Sequence, residues 1–437
     1  MTTYNPMRTL PGPAGYGKGD VFVLFCELFG RGYANGLVDE ARKAGMTIIG
    51  ITMGRRETDG SLRPLTAEEL TESEKVLGGK IINIPLEAGF DMDCSASGIS
   101  PVDQLKGIKS DGWDSAALDW VAIEQSRESG LTRFTGNLAK VMDTINSLIP
   151  DGVNVLFSHT MAGGIPRARI LMPVLNRIFK GQGERFAASE VFWGSELGKL
   201  CSACFDEVTA DTFFHLIEFS QPIRERLESA GGKVAYTAYG YHGCEVLIGD
   251  VYTWQSYTPY LQGWAKMRLE GIASAAWEKG VRASVFNCPE IQTNSSALFL
   301  GVEISLYPLL AALKREGGGA SFDRIMTACS QLLKEGVTIQ DLLEQADRYL
   351  ADSLLKPSHD YATWPHHNTP AQAALMLNSA TLMLDMNKDP KNIVCAELSR
   401  AVFQAVGRLI TRTCWEPGAP VFWLNHDIVA RELVAGE

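Results

Sequence analysis

Six short apolar runs punctuate the first two-thirds of the chain, and stretches of helical periodicity separate them. They are "DVFVLF" (20–25), "MTIIGITM" (46–53), "KIINIPL" (80–86), "VNVLFSH" (153–159), "GKVAYTAYGY" (232–241) and "VRASVFNCP" (281–289). Runs of this length, rich in β-branched and aromatic residues, read as strands buried on both faces. Between the first two, Ala34, Leu37, Val38 and Ala41 recur at helical spacing, with Gly45 as the stop. Strands alternating with helices imply a parallel sheet covered on both sides, because parallel neighbours need a crossover. The expectation is an α/β fold built on one doubly wound parallel sheet.

That sheet is expected over residues 19–315, after an N-terminal segment 1–18. The intervals 93–148 and 160–230 are long for simple crossovers and predict extra helices. From 316 to 437 the chain reads as mainly helical, with apolar residues three and four apart in "FDRIMTACSQLLKEG", "TIQDLLEQADRYLADSLL" and "PAQAALMLNSATLMLDM". "EGGGAS" (316–321) is the candidate hinge.

Composition narrows the function. A net charge of −11 argues against binding nucleic acid by phosphate neutralisation. No apolar run approaches the roughly 20 residues that span a bilayer, and "MTTYNPMRTLPGPAGYGKGD" lacks the apolar stretch of a secretory leader. Nine cysteines at irregular spacing read as reduced thiols. The expected setting is cytoplasmic, with no membrane insertion, and a homo-oligomer is compatible with it. Cys201 and Cys204 form a lone CxxC, read as two small half-buried residues. His359, His366 and His367 cluster in "SHDYATWPHHNTP" without the spacing of a metal site, so no metal is expected.

The turn after the first strand is "FCELFGRGYANG". A glycine-rich turn here lets backbone N–H groups and a helix N-terminus cradle a pyrophosphate. Gly30 and Gly32 fit a G-x3-G-x-G spacing whose first position is Cys26. The second strand ends in "MGRRE", and arginine at this point accommodates a 2′-phosphate. Arg55 and Arg56 therefore predict NADPH as cofactor in preference to NADH.

"YTWQSYTPYLQGWAK" sets Tyr252, Tyr257 and Tyr260 ahead of Lys266. No tyrosine stands four before the lysine. Thr258 and Pro259 read as a helix cap and first helical residue, leaving Tyr257 outside the helix and free to fold over Lys266. Tyr260, about 120° round the helix from Lys266, faces elsewhere.

The motif Thr253-Trp254-x2-Tyr257-x5-Gly263-x-Ala265-Lys266 resembles the active-site segment of trans-2-enoyl-CoA or enoyl-acyl-carrier-protein reductases of the FabV type, large relatives of the short-chain dehydrogenases. "YHGCE" resembles that family's YxGxE, which implies Tyr241 as a second active-site tyrosine. "IQTNSSAL" resembles the segment bordering the nicotinamide, with Thr293, Ser295 and Ser296. The resemblance implies a Rossmann fold of short-chain-dehydrogenase type and NAD(P)H-dependent reduction of an enoyl thioester, on acyl-carrier protein or CoA, in fatty-acid synthesis. Tyr257, Lys266 and Tyr241 would be catalytic. Gly30, Arg31, Gly32, Tyr33, Arg55, Arg56, Ser158, Lys266, Thr293 and Ser295 would hold the cofactor. The departures are Cys26, the Arg55–Arg56 pair and a Tyr241–Tyr257 interval longer than the family's. A 3-oxoacyl thioester ketoreductase and a noncatalytic NADP(H)-binding sensor remain alternatives.

Overall fold

The computed structural model describes residues 4–240, 243–256, 263–293, 300–363 and 367–436. Eleven strands appear among them: β1 (Val21–Phe25), β2 (Thr47–Ile51), β3 (Arg55–Arg56), β4 (Leu62–Arg63), β5 (Lys80–Ile82), β6 (Val155–His159), β7 (Val234–Gly240), β8 (Gly243–Ile248), β9 (Val251–Ser256), β10 (Ala283–Asn287) and β11 (Val421–Trp423). Seven of them make one sheet in the order β5-β2-β1-β6-β7-β10-β11, and every pairing is parallel. The order reverses between β1 and β6, the crevice where doubly wound sheets bind their ligands.

Alternate residues of each strand enter different cores. Phe22, Leu24, Ile48, Leu156, Ala235 and Phe286 pack on one face with helices Tyr33–Ala44, Ala396–Trp415 and His426–Ala435. Val21, Val23, Phe25, Phe157, Tyr236 and Val285 pack on the other with helices Trp120–Leu148, Thr212–Phe219 and Gly263–Glu278. The doubly wound reading holds. The two long intervals do carry helices, from Pro101–Leu105 and Trp120–Leu148 through Leu171–Lys180 to Gln221–Ser229. Gly45 ends the first helix at φ 72°, its N–H donating to the Ala41 and Arg42 carbonyls.

The region after 316 is mainly helical, and it also returns to the sheet. β11 pairs with β10 in the register Val285↔Val421, and Leu424 N donates to Asn287 O at 2.8 Å. Helix Ala396–Trp415 crosses helix Tyr33–Ala44 backbone to backbone: a Cβ on Gly36 would lie 2.0 Å from Phe403 O. The helix that follows the glycine turn is thus seated on the C-terminal region. Among the described residues no helix is long and apolar enough to cross a membrane.

Candidate functional site

β1 delivers the chain to the crevice. Cys26, where the motif has glycine, is 5 % exposed, and its side chain joins the apolar core behind the sheet. Burial pushes its thiol up to about 12, so it stays protonated and the turn does not have to accommodate it. The helix begins at Tyr33 after Gly32, whose φ of 144° disfavours any other residue. Among the described residues no side chain caps that helix, and its first turn carries no acid. A Cβ on Gly30 or Gly32 would meet nothing within 4 Å, and Arg31 is exposed beside them. An uncapped helix N-terminus beneath an open glycine turn fits a pyrophosphate. Tyr33 faces the other way. Its ring is in the core beside Tyr239, and its hydroxyl donates to Pro289 O, tying this turn to the end of β10.

The end of β2 holds a carboxylate. Glu27, from the chain just past β1, accepts Thr52 Oγ1 at 2.6 Å and Met53 N at 3.0 Å. Arg55 clamps it bidentately, at 2.9 and 3.0 Å. Burial raises the Glu27 pKa, but these hydrogen bonds, led by Arg55, outweigh burial and hold it below the usual carboxylate value. Arg56 is more deeply engaged: its side chain is 7 % exposed and spans Glu87, Asp93 and the Gly60 carbonyl.

Lys266 lies in helix Gly263–Glu278 and is 1 % exposed. Its Nζ donates to Tyr239 O in β7 at 2.7 Å. Burial lowers its pKa to about 7. His159, ending β6, is pushed well below its ordinary value by burial and then by the charge of Lys266, which places the two side chains in the same field. Its Nε2 lies 2.7 Å from Thr212 Oγ1. Ser158 is fully buried, its hydroxyl without a hydrogen-bond partner among the described residues. Lys266, His159 and Ser158 thus gather at the carboxyl ends of β6 and β7.

Sequence reading missed what anchors this helix. One turn beyond Lys266, buried Glu270 accepts Asn287 Nδ2 of β10 at 2.8 Å. Asn287 Oδ1 in turn sits 2.2 Å from where a Cβ on Gly240 would lie, so a side chain at the end of β7 would displace Asn287. Glu270 lies 17 residues from Asn287 along the chain, so no local spacing signals the pair.

Tyr241, Tyr257, Tyr260, Ser295, Ser296, His366 and the Thr258–Pro259 cap lie outside the described residues. The residues they join are informative. β8 and β9 form an antiparallel hairpin with Gly243 opposite Ser256 at its base. The long Tyr241–Tyr257 interval is therefore a hairpin inserted after β7, and the chain leaves it beside the point where it entered. Thr293 follows β10 and is half-buried. His367 Nδ1 lies 3.1 Å from Ser189 Oγ, His359 sits in a 3₁₀ turn, and Cys201 and Cys204 are buried thiols on one helix. No cluster of three metal-ligating side chains occurs among the described residues.

The family model for FabMG, an enoyl-acyl carrier protein reductase, matches residues 3–433. Among solved structures, the apo form of a FabMG, described as a novel type of enoyl-acyl carrier protein reductase, is 50 % identical. The match covers 100 % of this chain and 98 % of that one, at a TM-score of 0.96. The NADH-bound structure of a FabMG is 42 % identical over 100 % of both chains, at a TM-score of 0.81. No curated protein matches the chain.

The NADPH preference read from Arg55 and Arg56 is overturned. A FabMG structure 42 % identical to this chain carries NADH, and both guanidinium groups are already paired with carboxylates in this fold. Arg55 is spent on Glu27 and Arg56 on Glu87 and Asp93. A string of two arginines looks basic, but the carboxylates that neutralise it come from 28, 31 and 37 residues away.

Proposed function

Since the chain belongs to the FabMG family of enoyl-acyl carrier protein reductases, and so is an oxidoreductase, we propose that it reduces the C2=C3 bond of an enoyl thioester on acyl-carrier protein, with NADH, in fatty-acid synthesis. The observation that carries the cofactor is Glu27. Its carboxylate stands at the end of β2 and holds the Arg55 guanidinium that a 2′-phosphate would need as its counter-charge, whereas a ribose with free hydroxyls needs none. The strand order supports kinship with the short-chain dehydrogenases.

When bound, NADH would supply the hydride for the β-carbon. The chain's own residues bind, orient and move a proton. The uncapped N-terminus at Gly32–Tyr33 and the open surface at Gly30 and Arg31 would hold the pyrophosphate. The unpartnered Ser158 hydroxyl and Thr293 would border the nicotinamide, with Ser295. Lys266 would hold the ribose. Burial disfavours its ammonium form, and an approaching phenolate would favour it. Tyr257 would donate to the thioester oxygen as negative charge builds there, with Tyr241 beside it, both issuing from the base of one hairpin.

The test is nicotinamide absorbance with crotonyl-acyl-carrier protein, its CoA analogue and the acetoacetyl thioesters, each with NADH and NADPH. Oxidation of NADH by the crotonyl thioester is expected, and Tyr257→Phe should slow it on the order of 10²- to 10³-fold. Turnover of acetoacetyl thioesters alone would make the chain a ketoreductase, and turnover of neither would leave a binding protein.

A further inference from the structure

The glutamate of "YHGCE" has no part in the chemistry above, yet it is among the most heavily engaged side chains in the molecule. Glu245 sits in β8, directly opposite Trp254 of β9. Arg8 grips its carboxylate with both terminal nitrogens, at 2.6 and 2.7 Å, and reaches Asp427 at 3.2 Å. Tyr4 donates to the same carboxylate at 2.8 Å and accepts Asn425 Nδ2 at 3.0 Å. Asn425 Oδ1 takes the Glu245 N–H at 2.9 Å. The Tyr4 ring lies 5.2 Å from Trp254, 5.2 Å from Trp423 and 4.9 Å from Tyr361. Tyr4 therefore touches both strands of the hairpin. Its hydroxyl is held protonated by burial and then by the Glu245 charge, so it remains a donor.

The N-terminal segment is itself anchored. Pro6 bridges Trp423 in parallel fashion, Met7 N donates to Trp423 O at 3.1 Å, and Arg431 donates to Arg8 O at 2.8 Å. Residues 4–8 thus run along the outer edge of β11 and extend from it to the hairpin. They join sheet and hairpin by side-chain contacts on the hairpin's two strands, within three residue pairs of its base.

We propose that Tyr4 and Arg8 are positioning residues for the reductase reaction: an N-terminal strap that sets the orientation of hairpin β8–β9, and through its base the segments bearing Tyr241 and Tyr257, against Lys266. The proposal rests on the reductase reading for its catalytic consequence. The strap itself can be tested without it.

Arg8→Ala, Tyr4→Phe and Arg8→Lys separate the contributions, because Tyr4→Phe keeps the ring contacts and Arg8→Lys keeps the charge. Each variant is measured for kcat and KM with crotonyl-acyl-carrier protein, for NADH affinity, and for amide hydrogen exchange. In Arg8→Ala and Tyr4→Phe, kcat should fall by about 10-fold or more, as a misplacement near 1 Å can produce, while NADH affinity is kept. Exchange should rise in residues 243–263 and not in β1 or β6, and Arg8→Lys should recover part of the loss. Unchanged kcat and exchange would overturn the proposal, as would NADH affinity falling in step with kcat, which marks general loosening of the fold. If the unmodified protein reduces no enoyl thioester, the reductase reading fails, and hydrogen exchange alone decides whether the strap holds the hairpin.

Discussion

Replacing Lys266 with methionine should make the protein more stable at neutral and acid pH while abolishing turnover. The side chain is 1 % exposed, and burial takes its pKa from 10.5 to about 7. At about 1.36 kcal/mol per tenfold change, that drop costs the folded state on the order of 5 kcal/mol wherever the lysine is charged in both states. The cost is present in full below pH 7. Between pH 7 and 10.5 the folded protein sheds the proton and the unfolded chain keeps it. The unfolded state then binds more protons, so stability rises with pH until the cost is gone. Methionine matches the length of the lysine stem and carries no charge. It forfeits the 2.7 Å hydrogen bond to Tyr239 O, a loss of about 1–3 kcal/mol. The variant should therefore be more stable by about 2–4 kcal/mol at pH 6, and less stable than the unmodified protein by about 1–3 kcal/mol above pH 10.5. Urea unfolding of the two proteins side by side, from pH 6 to 10.5, reads this directly, since titrations elsewhere cancel in the difference. A difference that does not vary with pH, or a less stable variant at pH 6, would refute the claim that Lys266 is held against its own desolvation.

Glu27→Gln removes the charge at the end of β2 and releases Arg55, so NADPH affinity relative to NADH should rise on the order of tenfold at low salt; an unchanged ratio by fluorescence titration would exclude Glu27 as the discriminator. Gly36→Ala would push a methyl to 2.0 Å from Phe403 O and force the two helices apart. It should cost about 1–3 kcal/mol and weaken NADH binding through the displaced helix N-terminus, whereas an unaltered melting temperature would mean the contact yields freely.

The sequence alone determined the elements whose cause is local. Each central strand is a continuous apolar run because both its faces are buried, and helix Tyr33–Ala44 shows its apolar stripe and its glycine stop because those depend only on near neighbours. Tertiary structure decided the rest. β11, the three-residue "VFW", is too short to show a pattern and becomes a strand only because β10 offers an open edge. Hairpin β8–β9 is absent from the strands read in the sequence, whose nearest run ends at residue 241, and its register exists only once Gly243 meets Ser256. Arg55 and Arg56 looked like a phosphate site because a sequence shows charge without its partners. Glu27, Glu87 and Asp93 reach them only across the folded sheet. Likewise Glu245 draws its partners from Tyr4 and Arg8, 241 and 237 residues away. Periodicity reports what a residue does with its neighbours along the chain; whether a buried charge is free for a ligand or already paired is set by packing between distant segments.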